Sequence, residues 1–139
     1  MWNEPEKAGK FHYYACQSGY KTRYIRLPEL FSELETARIQ GKYHQVMKQF
    51  QKLPLVILDE FLLIPASDQE QRDLLELMEY RCGRTSTVFC SQFMPEGWHE
   101  RLGGSALADS ILDRIIPSAY TMRIDGDVSM RQRKRVIKE

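Results

Sequence analysis

Hydrophobic positions along the chain change their spacing several times, and each change predicts an element. The stretch KTRYIRL (21–27) is rich in β-favouring residues and ends at Pro28, which reads as a strand. Leu30, Leu34 and Ala37 then recur at helical spacing, and Gly41 ends that helix. A second helix is predicted over 42–52, with Val46, Met47 and Phe50 on one face. After Pro54 the run Leu55-Val56-Ile57-Leu58 is continuously apolar, as expected of a central parallel strand covered on both faces. Ser67-Asp68-Gln69-Glu70 forms a capping box that opens a long helix. That helix is expected to bury Leu74, Leu75, Leu77 and Met78 and to end near Gly83. Ser86–Cys90 reads as another buried strand. Pro95–Leu102 and Ala106–Ile116 read as helices split by Gly103-Gly104, and Ala119–Ile124 alternates as a final strand. Strands alternating with helices of these lengths predict an α/β fold with a mostly parallel sheet.

The chain has 139 residues, of which 42% are hydrophobic and 28% charged, which fits one globular domain with a core. No apolar run approaches the roughly 18 residues that span a bilayer. The start, MWNEPEKAGK, has no apolar segment of the secretory type. These features predict a cytoplasmic protein with no membrane partner. Cys16, Cys82 and Cys90 have no metal-ligand spacing, and Cys90 ends the apolar run TVFC as a small packing residue. The net charge of +1 hides an asymmetry: residues 128–139 carry +4, leaving −3 elsewhere. Arg131, Arg133, Lys134, Arg135 and Lys138 thus form either a basic tail for an anionic partner or a solvated terminus.

Chemistry concentrates after the apolar run, where Asp59 and Glu60 follow Leu58 directly. Ligands of parallel α/β sheets bind outside the carboxyl ends of the strands. At such an end Asp59 is placed to hold Mg²⁺ through water, and Glu60 to orient or deprotonate an attacking water. The plainer alternative is a strand leaving into a polar turn. Ser91-Gln92 follow the next strand and are open to the same two readings. Arg114 lies outside the apolar face set by Ala108, Ile111, Leu112, Ile115 and Ile116, and no acid stands three or four residues away to pair with it. It is either a surface arginine or a finger toward a neighbouring subunit's phosphate.

The ordered set YIRLPELFSELETARIQGKY, LVILDEF, DLLELMEYRCGRTSTVFCSQFMPEGWHE, LADSILDRII and SMRQRKR spans Lys21 to Arg135. It resembles the IstB helper ATPases of insertion sequences, relatives of the DnaC helicase loaders. The resemblance implies a P-loop AAA+ core, ATP and Mg²⁺ as cofactors, and ATP-dependent oligomerisation on DNA in support of a transposase. It implies that Asp59 and Glu60 are the Walker B acids, Ser91 the sensor 1 position, Arg114 the arginine finger and Arg131 the nucleotide-contacting sensor 2. Arg133, Lys134 and Arg135 are expected to meet DNA phosphates.

One departure is equally specific. The family's GxxxxGK[ST] loop has no intact counterpart. In Glu4-Pro5-Glu6-Lys7-Ala8-Gly9-Lys10-Phe11, Glu4 stands where the first glycine belongs and Phe11 replaces the Mg²⁺-binding hydroxyl. The P-loop lysine is therefore not assigned to Lys10. The expectation is a partial AAA+ domain over 1–139 that lacks the P-loop strand. Residues 1–20 would be a degenerate remnant and 128–139 a basic tail, as in a truncated or split copy. Such a chain is expected to bind ATP poorly alone. Its rivals are an inactive module that joins a ring of full-length homologues, and a helicase loader that partners a replicative helicase.

Overall fold

The computed structural model describes residues 17–123. Their elements run β1 (Thr22–Arg26), α1 (Leu27–Ile39), α2 (Tyr43–Lys52), β2 (Leu55–Asp59), α3 (Asp68–Arg81), β3 (Ser86–Phe89), α4 (Pro95–Arg101) and α5 (Ala106–Ile115). The three strands form one parallel sheet in the order β1-β2-β3. β2 is the central strand, as its uninterrupted apolar run predicts, and Val56, Ile57 and Leu58 are fully buried.

Pro28 does not stop β1 so much as start α1, because proline's fixed φ and missing N–H suit the first helical turn. α1 buries Leu27, Leu30, Phe31, Leu34 and Ala37 along one stripe. Gly41 and Gly83 follow α1 and α3 with φ of 71° and 79°, the left-handed geometry that relieves a helix end. The capping box is formed: Glu70 N donates to Ser67 Oγ at 3.3 Å, and Ser67 N donates to Glu70 Oε1 at 2.9 Å.

Most of the core lies on one face of the sheet, where Ile25, Val56 and Leu58 meet the helices. The other face carries Ile57 and Cys90, with Tyr24, Leu55 and Val88 against them. Alternation along β2 therefore puts Asp59 on the Ile57 face.

Three expectations change. Leu75 is half-buried, and α3 instead buries Gln71, Asp73 and Arg81 beside Leu74, Leu77 and Met78. Ser86–Phe89 is not buried throughout: Ser86 is exposed and the next three residues are half-buried, because β3 is bonded on one side to β2 and forms the sheet's edge among the described residues. Ala119–Arg123 is not a strand, since alternation alone makes no ladder and no strand among the described residues pairs with it. Ile124, the end of that expected strand, lies outside the described residues, as do Cys16, Gly9, Lys10, Arg131, Arg133, Lys134 and Arg135. Among the described residues no helix is long and apolar enough to cross a membrane.

Arg81 holds the sheet to its surroundings from a buried position. Its guanidinium donates to Phe50 O (2.8 Å), Leu53 O (2.7 Å), Thr87 Oγ1 (2.9 Å) and Ser86 O. Burial lowers its pKa to about 10, so it remains cationic at neutral pH. The end of α2, the entry to β2 and the entry to β3 are thus tied to the end of α3 by one side chain.

Candidate functional site at the carboxyl end of the sheet

Parallel register brings the ends of the strands to one edge. Arg26 pairs with Asp59, and Cys90 N donates to Leu58 O at 2.9 Å, so Ser91 leaves β3 beside the end of β2. Asp59, Glu60 and Ser91 are therefore neighbours, as their places in the sequence imply.

Asp59 is 9% exposed and accepts a hydrogen bond on each oxygen. The Tyr24 hydroxyl donates to Oδ2, and the Glu60 N–H donates to Oδ1 at 2.8 Å. Burial, and then the bond to Asp59, raise the Tyr24 phenol above its ordinary range and keep it protonated as a donor. Burial and the Asp59 charge likewise push the Cys90 thiol up to about 11.

Glu60 turns away from Asp59. It takes φ 51°, and Leu62 takes φ 58°, both left-handed and both costly for residues with a Cβ. Phe61 and Leu62 are fully buried in exchange. Phe61 N donates to Cys90 O at 2.8 Å, and Arg101 Nε donates to Leu62 O at 2.7 Å, which clamps the loop from both sides. Glu60 thereby lines a cavity of about 380 Å³ with Leu27, Phe31, Ile64, Glu70 and Asp73. Its nearest cation is Arg26, at 3.9 Å, which also bonds Glu29.

The Ser91 hydroxyl is fully engaged. It donates to Phe61 O at 2.8 Å and accepts from Phe93 N at 3.0 Å and Trp98 Nε1 at 3.3 Å, with the residue 3% exposed. It fixes the exits of β2 and β3 to one another and to α4. The adjoining Gln92 is exposed, so the free polar group at this strand tip is its amide.

Arg114 is not uncompensated. Its guanidinium meets Glu79 of α3 at 3.1 Å and donates to Ser110 O at 3.1 Å. The partner is on another helix, beyond the reach of in-helix spacing. Arg114 lines a separate groove of about 590 Å³ along β3, away from the cavity that holds Glu60.

A bound Mg–nucleotide is only half provided for. Asp59 keeps acceptor capacity for a water-bridged ion. Among the described residues, however, no group of three or more His, Cys, Asp or Glu is placed to hold a metal. The backbone N–H cradle that holds phosphates in P-loop proteins has no intact motif in the sequence.

Sequence reasoning missed Tyr24 and Arg26 here. Their signal lay in the register, since residues two apart on β1 stand beside Ile57 and Asp59 of β2.

The family model described as IstB-like ATP binding protein matches residues 7–137. Two proteins of Sinorhizobium fredii, y4pL and y4uH, carry names of insertion sequence ATP-binding proteins. The first is 37% identical over 121 residues, covering 87% of this chain and 49% of its own length; the second is 36% identical over 120 residues, covering 86% and 48%. The chain thus spans about half the length of these relatives. In fold it is similar to the crystal structure of a DNA replication initiation factor (TM-score 0.65, 13% identity, 89% of this chain and 36% of that one). It is also similar to AMPPCP-bound DnaA from Aquifex aeolicus (TM-score 0.62, 14% identity, 79% and 36%). The parallel sheet with its flanking helices is accordingly like the AAA+ core of these proteins, and the chain belongs to the IstB-like ATP-binding protein family.

Proposed function

We propose that this chain is the partial ATPase core of an insertion-sequence transposition helper that works on DNA with a transposase in the cytoplasm, and that it does not hold ATP by itself. The observation that carries this reading is the rigidly seated Asp59–Glu60 pair at the end of the central strand in a sequence without GxxxxGK[ST]. Without a cradle of backbone N–H groups and a P-loop lysine, two carboxylates repel a triphosphate rather than bind it.

Each side chain then has a defined part once a cradle is supplied by a full-length homologue. Asp59 would hold Mg²⁺ through water, and Glu60 would orient the attacking water across its cavity. At the tip of β3, Gln92 is better placed than Ser91 to meet a phosphate, because the Ser91 hydroxyl is engaged. Arg114 would reach a neighbouring subunit's phosphate after leaving Glu79. Both partners of that pair are well exposed, so its release costs no more than about 1 kcal/mol. Arg131 would contact nucleotide, and Arg133, Lys134 and Arg135 would contact DNA phosphates.

Calorimetric titration of the chain with Mg-ATP tests the reading. The expected result is no binding in the micromolar range and no hydrolysis above background. Tight binding of Mg-ATP by the isolated chain would overturn it.

A further inference from the structure

Two strand signals lack a ladder partner among the described residues, and both border one groove. β3 is bonded to β2 along one side: Ser86 N donates to Pro54 O at 3.0 Å and Cys90 N to Leu58 O at 2.9 Å. Backbone groups alternate along a strand, so the N–H and C=O of Thr87 and Phe89 point to the other side. No strand among the described residues meets them there. The stretch Ala119–Arg123 alternates as a strand does and forms no ladder. Val88 and Phe89 of β3, and Tyr120 and Met122 after α5, line the same groove of about 590 Å³. Thr85, just before β3, also lines it and keeps a buried Oγ1 with no hydrogen-bond partner among the described residues.

The chemistry of an occupant follows from this geometry. Outward N–H and C=O groups on β3 call for an extended backbone, because a helix has already bonded its own. The occupant has two faces to satisfy. Phe89 packs with the main core, and Val88 with Ile57 and Cys90 on the opposite face. A strand beside them is covered on both faces and, like β2, reads as a continuous apolar run. Four consecutive residues drawn from Val, Ile, Leu and Phe occur twice in the sequence, at Leu55–Leu58 and Phe61–Ile64. The first is the central strand. The second is fixed in the loop after it by the bond from Arg101 and the burial of Phe61 and Leu62. A second copy therefore has no spare run of this kind to insert. The family does have further sequence, since the matches cover 49% of y4pL and 48% of y4uH.

We propose that the groove along β3 takes one extended, continuously apolar strand from a second polypeptide that carries the family sequence outside these matches. The strand bonds Thr87 and Phe89 on one side. On its other side it gives the alternating stretch after Ser118 the ladder partner it lacks. The contact forms without nucleotide, so its fate and that of the ATP reading are separable.

Amide hydrogen exchange of the 139-residue chain, followed by NMR without nucleotide, tests it. The partner is the larger segment of y4pL outside its 121-residue match, expressed separately. In the dilute chain alone, the Thr87 and Phe89 amides are expected to exchange fast, and those of Val88 and Cys90 slowly. Adding the segment is expected to slow Thr87 and Phe89 by about tenfold or more. Fluorescence anisotropy of the labelled segment reads binding in parallel. Thr87→Pro removes an outward N–H that β2 does not use, a change that edge strands tolerate, and is expected to weaken binding about tenfold. Thr87→Val loses the same bond from Arg81 but keeps the N–H, and is expected to bind as the parent does. The exchange measurement on the parent depends on neither variant. Failure of the segment to bind, or binding that leaves both amides fast, would overturn the proposal. Slow exchange of both amides in the dilute chain alone would show that the chain closes its own edge, with the same consequence. Slow exchange that appears only as the chain is concentrated, and that the segment does not change, would make a second copy the occupant instead.

Discussion

Asp59 is held by two donors of different character, and one of them titrates. The Tyr24 phenol is raised by burial and by the carboxylate it serves, and the Cys90 thiol is raised from 9.0 to about 11 by burial and by that same carboxylate. Both groups are thus more acidic in the unfolded chain than in the folded one. Their contribution to stability is complete below the unfolded values and is lost as pH rises through the folded ones. Urea unfolding should therefore give a stability unaffected by these groups up to about pH 8.5 and falling between about 9 and 11. The double variant Tyr24→Phe, Cys90→Ala should fall less steeply over that window, whatever its stability at neutral pH. An identical alkaline slope in parent and variant would remove these two groups as the cause. Arg81 acts in the opposite sense, since its pKa is depressed to about 10. It binds its proton less readily when folded, so it adds no alkaline loss of its own.

Elements differ in how openly the sequence announces them, and the difference follows from range. β2 declares itself because four consecutive apolar residues are a signal written in neighbouring positions, although the elements that cover them are distant in the chain. α3 declares itself through Ser67 and Glu70, whose bonds span three residues. The alternating stretch after Ser118 carries the same local signal as a strand but finds no ladder partner, and a ladder is a long-range property. The site divides in the same way. Asp59, Glu60 and Ser91 are legible because each follows an apolar strand. The bond from Tyr24 spans 35 residues and the pair of Arg114 with Glu79 joins two helices, so no spacing rule reaches them. Left-handed Glu60 and Leu62 are likewise illegible, because neither residue type asks for that conformation. For α3 the local reading can be tested directly. Ser67→Ala removes the acceptor of the Glu70 N–H and should cost about 1 kcal/mol, seen as a drop of a few degrees in Tm. A variant that melts with the parent would show that tertiary packing, not the cap, fixes the start of this helix.

For the whole molecule the decisive feature is the outer edge of β3. Its ladder bonds run to β2, and its other side faces the groove of about 590 Å³. That groove is lined by Val88, Phe89, Trp98 and Ile115 from the core side and by Tyr120 and Met122 from the segment that follows α5. Tyr120 is fully exposed and Met122 is 52% exposed, so two large apolar side chains border strand backbone that no strand among the described residues pairs. An open edge beside apolar surface is the arrangement that invites pairing between chains. A domain of this size has about 5–15 kcal/mol of net stability, so relief of such an edge by association weighs heavily in its balance. The chain should therefore self-associate as its concentration rises, with Tm rising alongside. Replacing Tyr120→Lys together with Met122→Lys should weaken association without lowering the Tm of the dilute protein, because neither side chain is part of the buried core. Sedimentation velocity over a concentration series reads the first effect and thermal unfolding of dilute samples the second. A parent chain that stays monomeric across the series would show that the β3 edge is closed, and an unchanged association constant in the double variant would place the contact elsewhere on the surface.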